Sequence, residues 1–398
     1  MVIGARCAGA ATAMLLARKG YDVLLVDRAR FPSEIPHGHF VHRHGPGRLA
    51  AWGLLDRVLA TNCPAVTSIV TDMGDFPLAG EGLEVDGIPL GLGPRRSRLD
   101  HVLVEAAVEA GAELREGFAV DDFVTEGGAI AGVRARAGAG SAVRERARIV
   151  IGADGRNSGL ARRVAAPVVE RAPTLTCWYF SYWSGVRPRG LELHLRDGRV
   201  IFTFPTNDDL QGIFVGAPIE ELNAARADIE GHMLATLDLV PELAERVREG
   251  ERVERLLGAT QLPNFIRRPY GPGWALVGDA GCHKDPFMAL GICDALRDAE
   301  LLADAVDEGL SGRMAMKDSL AYYERVRNDA TTPDYHTNLE LARLRRKPPP
   351  AEQYPLRAAL RGNAADTRRY YLAIQGMVDP APFFDPSNLT RIIRAGSS

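Results

Sequence analysis

Lysine is nearly missing from this chain. Only Lys19, Lys284, Lys317 and Lys347 occur among 48 basic residues, and the rest are arginine. The skew fits the codon usage of a GC-rich genome, and it makes any lysine inside a motif conspicuous. Cysteine is scarce too, with five residues and no CxxC pair. That odd, scattered set supplies neither a disulfide frame nor a zinc spacing, and it points to a reduced, cytoplasmic setting. No apolar run approaches the length that spans a bilayer. A net charge of −3 and a pI near 6.3 give no reason to expect nucleic acid or an acidic membrane as partner. What remains, 46% hydrophobic and 25% charged residues over 398 positions, is ordinary for a chain of two joined domains.

What is present begins at Val2. Val2 and Ile3 read as the end of a strand, and Gly4-Ala5-Arg6-Cys7-Ala8-Gly9 as a glycine turn. Ala10 to Lys19 carries small and apolar residues at helical spacing, and Gly20 ends the helix. Asp22 to Asp27 (DVLLVD) reads as a buried parallel strand. This is a βαβ unit. Gly4 permits the tight turn, Gly9 permits close helix–strand packing, and the open N–H groups at the helix start hold a pyrophosphate. Asp27 lies about 20 residues beyond the glycines, where such units place the acid for ribose hydroxyls. Arg6 replaces the usual middle glycine, giving G-x-R-x-x-G and a permanent cation near the phosphates. Cys7, Ala8 and Arg28 complete the candidate set. The bland alternative is a glycine-rich turn that binds nothing. Three residues precede Gly4, whereas a strand usually runs about 5–6, so we expect the natural start to lie upstream of Met1.

Downstream, the Pro-, Gly- and His-rich segment to Gly45 reads as a long ordered loop, with Pro46 opening a helix. His37, His39, His42 and His44 lack a carboxylate or cysteine at ligand spacing. A loop covering a cofactor, with His39 or His42 facing it, is therefore favoured over a metal site. Residues 62 to 92 are strand-rich without a sharp motif. Leu99 to Ala110 reads as an amphipathic helix capped by Gly111, behind a basic turn that holds Arg96. Val120 to Arg136 and Val143 to Val150 read as ribbon strands around the glycines at 138 to 140. The second leads into Gly152-Ala153-Asp154-Gly155 and an arginine-bearing helical turn. From Thr174 to Ala217 the chain alternates and turns aromatic, with a hairpin signal at Asp197-Gly198. That texture predicts an antiparallel sheet and a second domain. Trp178, Phe180 and Tyr182 share one face, and Tyr179 and Trp183 the other; one face is a candidate roof for an apolar or aromatic ligand. Glu220 to Arg248 reads as helical and Glu251 to Leu262 as strand. Gly273 to Asp279 (GWALVGD) is another buried strand, leading into a long amphipathic helix. Asp318 to Arg346 is predicted helical and broken by Pro348 to Pro350. Residues 351 to 398 form a helical tail that Phe383 and Phe384 can dock.

Three separated motifs thus stand in order, at 4 to 27, Gly152 to Arg162 and Gly278 to Leu301. Together they resemble the FAD-dependent oxidoreductases of the aromatic-hydroxylase superfamily, over most of the chain. That group includes flavoprotein monooxygenases, geranylgeranyl reductase-like enzymes and flavin-dependent halogenases. The resemblance implies an α/β fold: a Rossmann-like FAD-binding domain, an antiparallel-sheet substrate domain and a helical C-terminal tail. The expected FAD-binding parts are 1–62, 95–165 and 271–330, the substrate parts 63–94 and 166–270, and the tail 331–398. In the family, the Asp154-Gly155 pattern touches both FAD and the nicotinamide donor; Ser158 is in place, and the arginine comes one residue late as Arg162. Gly278-Asp279 matches the pair whose acid holds the ribityl or ribose chain, and Arg96 matches an arginine near the ribityl and phosphates. Pro286, Gly291 and Ile292 match the backbone along the isoalloxazine. Cys282 replaces a frequent His, with His283 one step on, and Cys293 replaces a frequent Asn.

The implied activity is NAD(P)H-dependent monooxygenation of an apolar or aromatic small molecule, through a hydroperoxide formed by O2 at flavin C4a. A helix N-terminus following Asp279 favours negative charge at the flavin N1–C2 edge. Candidate substrate residues are His39, Phe180, Tyr182 and Phe202; candidate catalytic residues are Lys284 and His283. Lys284 either pairs with a neighbour such as Asp285 or stabilises charge on reduced flavin. The rivals are a C=C reductase of the geranylgeranyl type, a halogenase and a non-catalytic FAD-binding protein. The halogenase is disfavoured by the missing W-x-W-x-I-P and by Lys19 belonging to the first helix. Expected partners are a small-molecule substrate and O2, with no metal, nucleic acid or integral membrane association, in a monomer or homodimer.

Overall fold

The computed structural model describes residues 1–137, 140–345 and 353–396. Gly138 and Ala139 of the expected glycine turn, and the Pro348 to Pro350 breaker, lie outside them. The chain divides into two units. Unit 1 comprises Met1–Ile35, Arg96–Thr174 and Leu262–Leu339; unit 2 comprises Pro36–Arg95, Leu175–Gln261 and Glu340–Ser398.

Unit 1 is built on a six-stranded sheet in the order 113–116, 24–27, 2–3, 150–152, 274–276, 270–271. All neighbours run parallel except the last pair. Ile3 is level with Val26 on one side and Gly152 on the other, and Gly152 is level with Leu276. The turns after these strands therefore leave from one edge of the sheet. From Val2–Ile3 the chain proceeds first to one side and later to the other, which makes that edge a topological switch point. The first helix, Cys7–Arg18, packs against helices Arg96–Glu109 and Gly291–Leu310.

Several boundaries differ from expectation for physical reasons. The first helix begins at Cys7 rather than Ala10, because Gly9 already sits in its first turn. The second begins at Arg96 rather than Leu99, tied by the i,i+4 pair of Arg96 with Asp100. Val120 to Arg136 is two strands, Phe118–Glu126 and Ala129–Ala137, folded at Gly127 and Gly128 with φ of +56° and +81°. Ser141–Arg146 completes that ribbon, while Val150–Gly152 belongs to the parallel sheet. The expected Pro46 helix spans His44–Ala51 with Pro46 in its first turn, where a missing N–H costs no hydrogen bond. After Asp279 the long helix does not start until Gly291; strand Cys282–His283 and two single turns intervene.

Unit 2 centres on a sheet in the order 251–252, 176–184, 211–218, 199–205, 191–196, 69–72, 77–80, with 257–259 also pairing 176–184. It is antiparallel except where 191–196 runs beside 69–72. Strict alternation separates its faces. Cys177, Tyr179 and Trp183 pack with Met233, Leu237, Leu243 and Val247 of helices Ile229–Leu237 and Pro241–Glu249. A buried ionic cluster also closes here: Arg196 reaches Asp72 at 2.6 Å, Arg246 reaches Glu192 at 2.7 Å, and His194 lies between the two acids at 3.6 and 3.4 Å. In the tail, Tyr371 donates to the Leu78 carbonyl at 2.7 Å and Arg357 pairs with Asp75 at 3.0 Å. Phe383 is buried as expected, but Phe384 is 42% exposed and docks little.

Candidate functional site

The edge of the unit 1 sheet gathers the glycine turn, Asp27, the Asp154 turn and Gly278-Asp279. A Cβ on Gly9 would meet the Gly4 carbonyl oxygen at 1.7 Å, and one on Gly4 would meet the Ala153 oxygen at 2.4 Å. The turn is thus pressed against both its own helix and the next loop. Asp27 fixes it from below, accepting from Ala5 N and Ala29 N at 2.8 Å each. The first intrahelical bond runs from Ala10 N to Arg6 O, and no side chain caps the helix. The N–H groups of Cys7, Ala8 and Gly9 therefore have no acceptor among the described residues, which is the geometry that receives an anion.

Arg6 does not stand free beside that opening. Its guanidinium donates to Asp100 at 2.7 Å and to Ser33 at 2.9 Å, with Phe31 5.4 Å away. Asp100, fully buried, also takes Arg96 at 2.9 and 3.1 Å and the Cys7 thiol at 3.2 Å. Burial pushes the Cys7 pKa up, so it stays a thiol and donates. Burial works against the Arg96 charge, yet Asp100 outweighs it and holds the cation. Two guanidiniums against one carboxylate leave a surplus positive charge below the helix start. Arg28 is exposed beside Asp27.

The other acids of the edge are less occupied. Asp154 Oδ2 accepts from Gly159 N at 2.7 Å, while its buried Oδ1 has no partner. Gly155 beside it has φ +76° and open space around its Cα. Ser158 caps the short helix Gly159–Arg163, and Arg162 folds back onto the Asn157 carbonyl. Asp279 accepts no hydrogen bond from the described residues, although it adds to the field that favours the Arg96 charge. Gly278, at φ +59°, lets this turn approach Ala8. Open N–H groups, a surplus cation and carboxylates with free lone pairs fit a dinucleotide: anions at the helix, hydroxyls at the acids.

The loop from Cys282 to Leu290 follows. His283 is buried, its Nδ1 facing the Pro263 carbonyl and its ring stacked on Phe265 at 6.0 Å. The Lys284 side chain is buried as well, and its partner is Asp294 on the Gly291 helix, not Asp285. Asp294 also takes Arg297 at 2.9 Å, and Arg297 continues to Asp298 and Thr331 at 2.7 Å each. Burial works against the Lys284 charge, but Asp294 prevails and keeps its pKa above the usual lysine range. Burial pushes the Cys282 thiol up to about 12. Pro286 begins a single helical turn, and Gly291 and Ile292 open a helix that no side chain caps.

In unit 2 the four candidate substrate residues lie in one aromatic layer. Phe180 stacks on Phe214 at 4.7 Å, Phe214 on Phe204 at 5.2 Å, and Phe202 meets Phe204 edge-on at 5.6 Å. His39 Nδ1 lies 3.1 Å from the Gly93 carbonyl and Nε2 2.9 Å from the Tyr182 hydroxyl. A carbonyl only accepts, so in the neutral ring Nδ1 carries the proton and Tyr182 donates to Nε2. Arg95, paired with Glu254 at 2.8 Å, lies 3.7 Å from the Tyr182 ring centroid. His42 turns elsewhere, to Gln375 at 3.2 Å.

Sequence reading missed Asp100, Asp294, Phe204, Phe214 and Arg95. Asp100 was within reach, since it stands four residues after Arg96 in the same helical motif. Phe204 and Phe214 follow from alternation once register is known.

A family model described as an FAD binding domain matches residues 1–252. The digeranylgeranylglycerophospholipid reductase of Methanosarcina acetivorans is 25% identical over 354 residues, covering 85% of this chain and 82% of that protein. The solved structure of the myxobacterial chondrochloren halogenase CndH has a TM-score of 0.78 and 22% identity, over 99% of this chain and 95% of that one. PqsL of Pseudomonas aeruginosa, described as a probable FAD-dependent monooxygenase, has a TM-score of 0.69 and 22% identity, over 92% and 98%. No helix among the described residues is long and apolar enough to cross a membrane. Since the family match runs through the glycine turn, Asp27 and the Asp154 turn, the chain belongs to the FAD-binding-domain family of flavin-dependent oxidoreductases.

Proposed function

We propose that this chain is an NAD(P)H-using FAD monooxygenase acting on an apolar or aromatic small molecule. The observation that carries this reading is the aromatic layer of unit 2. Its phenyl rings offer shape and π surface, and His39 with Tyr182 brings an acid–base pair into the same layer. Such a wall suits an aromatic substrate with few charges. Phe180, Phe202, Tyr182 and His39 are its proposed contacts.

The cofactor's pyrophosphate would lie at the N–H groups of Cys7, Ala8 and Gly9, above the surplus charge of Arg6 and Arg96. Asp27 would take the adenosine ribose, with Arg28 at its flank, and Gly278-Asp279 the ribityl chain. Asp154 Oδ1 and Gly155 offer a further polar contact, and Pro286, Gly291 and Ile292 the ring edge. When bound, FAD supplies the redox and oxygen chemistry. The chain binds, orients and excludes water. Lys284 and His283 are proposed to act through the loop that carries them, because the ammonium is shared with Asp294 and the imidazole with Pro263.

A second reading, a C=C reductase, is favoured by the likeness to the Methanosarcina reductase. Against the halogenase reading stand a stretch from residue 20 to 283 without lysine and the missing W-x-W-x-I-P. The test is O2 uptake with NADH or NADPH against phenols, polyketides and isoprenoids, with and without halide. Substrate-stimulated uptake with an oxygenated product supports the proposal. Anaerobic alkene reduction replaces it with the reductase, halide-dependent product with the halogenase, and bound FAD without turnover with a binding protein.

A further inference from the structure

Two buried asparagines hold the loop between Lys284 and Leu290, and neither was marked by any sequence motif. Asn338, 1% exposed on helix Met316–Ala342, accepts from Met288 N at 3.0 Å and donates to the Asp285 carbonyl at 2.9 Å. Asn264, on strand Asn264–Arg267 and fully buried, accepts from Asp285 N at 2.7 Å and donates to the Pro173 carbonyl at 2.9 Å. Asp285 itself folds back onto Phe287 N at 3.1 Å. Within this frame Ala289 takes φ +52°, a left-handed conformation that a residue with a Cβ adopts only under constraint. Leu290 and Gly291, opening the uncapped helix, come directly after it.

We propose that Asn338, seconded by Asn264, is a positioning residue for the flavin. Its amide does what a neighbouring strand would do, pairing one N–H and one C=O of a loop that has no strand beside it there. It thereby fixes the aim of the helix start at Gly291–Ile292 toward the edge of the flavin ring. The inference rests on the assignment of Pro286, Gly291 and Ile292 to that ring. Because open N–H groups favour the more negative form of a ligand, correct aim favours reduced over oxidised flavin. Losing it costs affinity and also lowers the potential.

The experiment compares the FAD-loaded parent with Asn338→Leu and Asn338→Asp. FAD dissociation constant, two-electron midpoint potential and melting temperature are measured for each. Leucine removes both hydrogen bonds. Aspartate keeps the shape and the bond from Met288 N but cannot donate to the Asp285 carbonyl when ionised. We expect FAD affinity to fall about tenfold and the potential to become more negative by about 30 mV, a tenfold change in the ratio of reduced to oxidised binding. A lower melting temperature with an unchanged potential would make Asn338 merely structural and overturn the proposal, as would no change at all. If Asn338→Leu does not fold, the uncharged Asn338→Ser decides on the same potential, since an added aspartate charge would itself lower it. A parent that binds FAD but shows no NAD(P)H oxidation removes the monooxygenase reading and leaves this one standing.

Discussion

The sheet edge of unit 1 and the aromatic layer of unit 2 both collect residues that the sequence singled out, and they are finished in opposite ways. At the edge, Asp279 and one oxygen of Asp154 lack donors among the described residues, three N–H groups lack acceptors among them, and two arginines face Asp100. In unit 2 the polar groups of the aromatic layer are answered from within, His39 by Gly93 and Tyr182 and Arg95 by Glu254. Beside it the Asp72–Glu192 pair is neutralised by Arg196 and Arg246, although Glu192 Oε1, His194 Nδ1 and Arg246 Nε make no hydrogen bond among the described residues. Unmet hydrogen-bonding capacity is costly to bury, so where a fold keeps it, a ligand is the natural complement. A filled aromatic surface carries no such mark; it selects by shape. The proposed cofactor site therefore carries a stronger mark than the proposed substrate wall.

The comparison can be broken first at Asp100, the edge carboxylate that holds two guanidiniums and a thiol. Asp100→Ala leaves Arg6 and Arg96 without their anion, and we expect a loss of about 3–5 kcal/mol in urea unfolding of the apoprotein. Gly9→Ala comes next, because its Cβ falls 1.7 Å from a backbone oxygen. About 3 kcal/mol of stability should go, together with bound flavin. Retention of both would mean that the turn is looser than its geometry.

Asp279→Ala is the sharpening case. Removing a carboxylate that accepts no hydrogen bond from the described residues should leave apoprotein stability within about 0.5 kcal/mol. The same change should weaken FAD by about 1–3 kcal/mol in a fluorescence titration. A large drop in apoprotein stability would place Asp279 with Asp100 and end the distinction.

The smallest effect concerns the closed cluster of unit 2. Burial alone would lower the His194 pKa, but Asp72 and Glu192 outweigh it and raise it above its ordinary 6.5. Burial would raise Asp72, but the Arg196 guanidinium at 2.6 Å and nearby His194 outweigh it and hold the acid well below 3.8. A raised base stabilises fully below its unfolded value and loses that contribution as pH rises through the folded one. A depressed acid stabilises above its unfolded value and loses that contribution as pH falls through its folded one. The cluster should thus contribute most between about pH 4 and about pH 6.5. In unfolding curves, His194→Gln should differ most from the parent near about pH 5.5, and the difference should shrink as pH rises through the raised His194 pKa. A difference independent of pH would show that His194 acts by packing alone.

What was legible in the chain was local. The glycine turn, its helix and Asp27 lie within one βαβ unit, so spacing alone announces them, and the period of two sorts Phe180 and Tyr182 from Tyr179 before any register is known. Strand ends were less legible. Val120 to Arg136 reads as one strand because both halves alternate, and only the pairing of Ala129 with Glu126 places the fold at Gly127-Gly128.

The sequence by itself determined the fold class and the place of the glycine turn, because both follow from patterns shorter than one supersecondary unit. Tertiary structure alone decided which charge meets which. Arg6 meets an acid 94 residues away, and Asn338 reaches a loop 53 residues before it. Lys284 turns from its chain neighbour Asp285 to Asp294 on the next helix. Buried charges and amides must find partners wherever packing brings them, and that distance leaves no trace in a linear pattern.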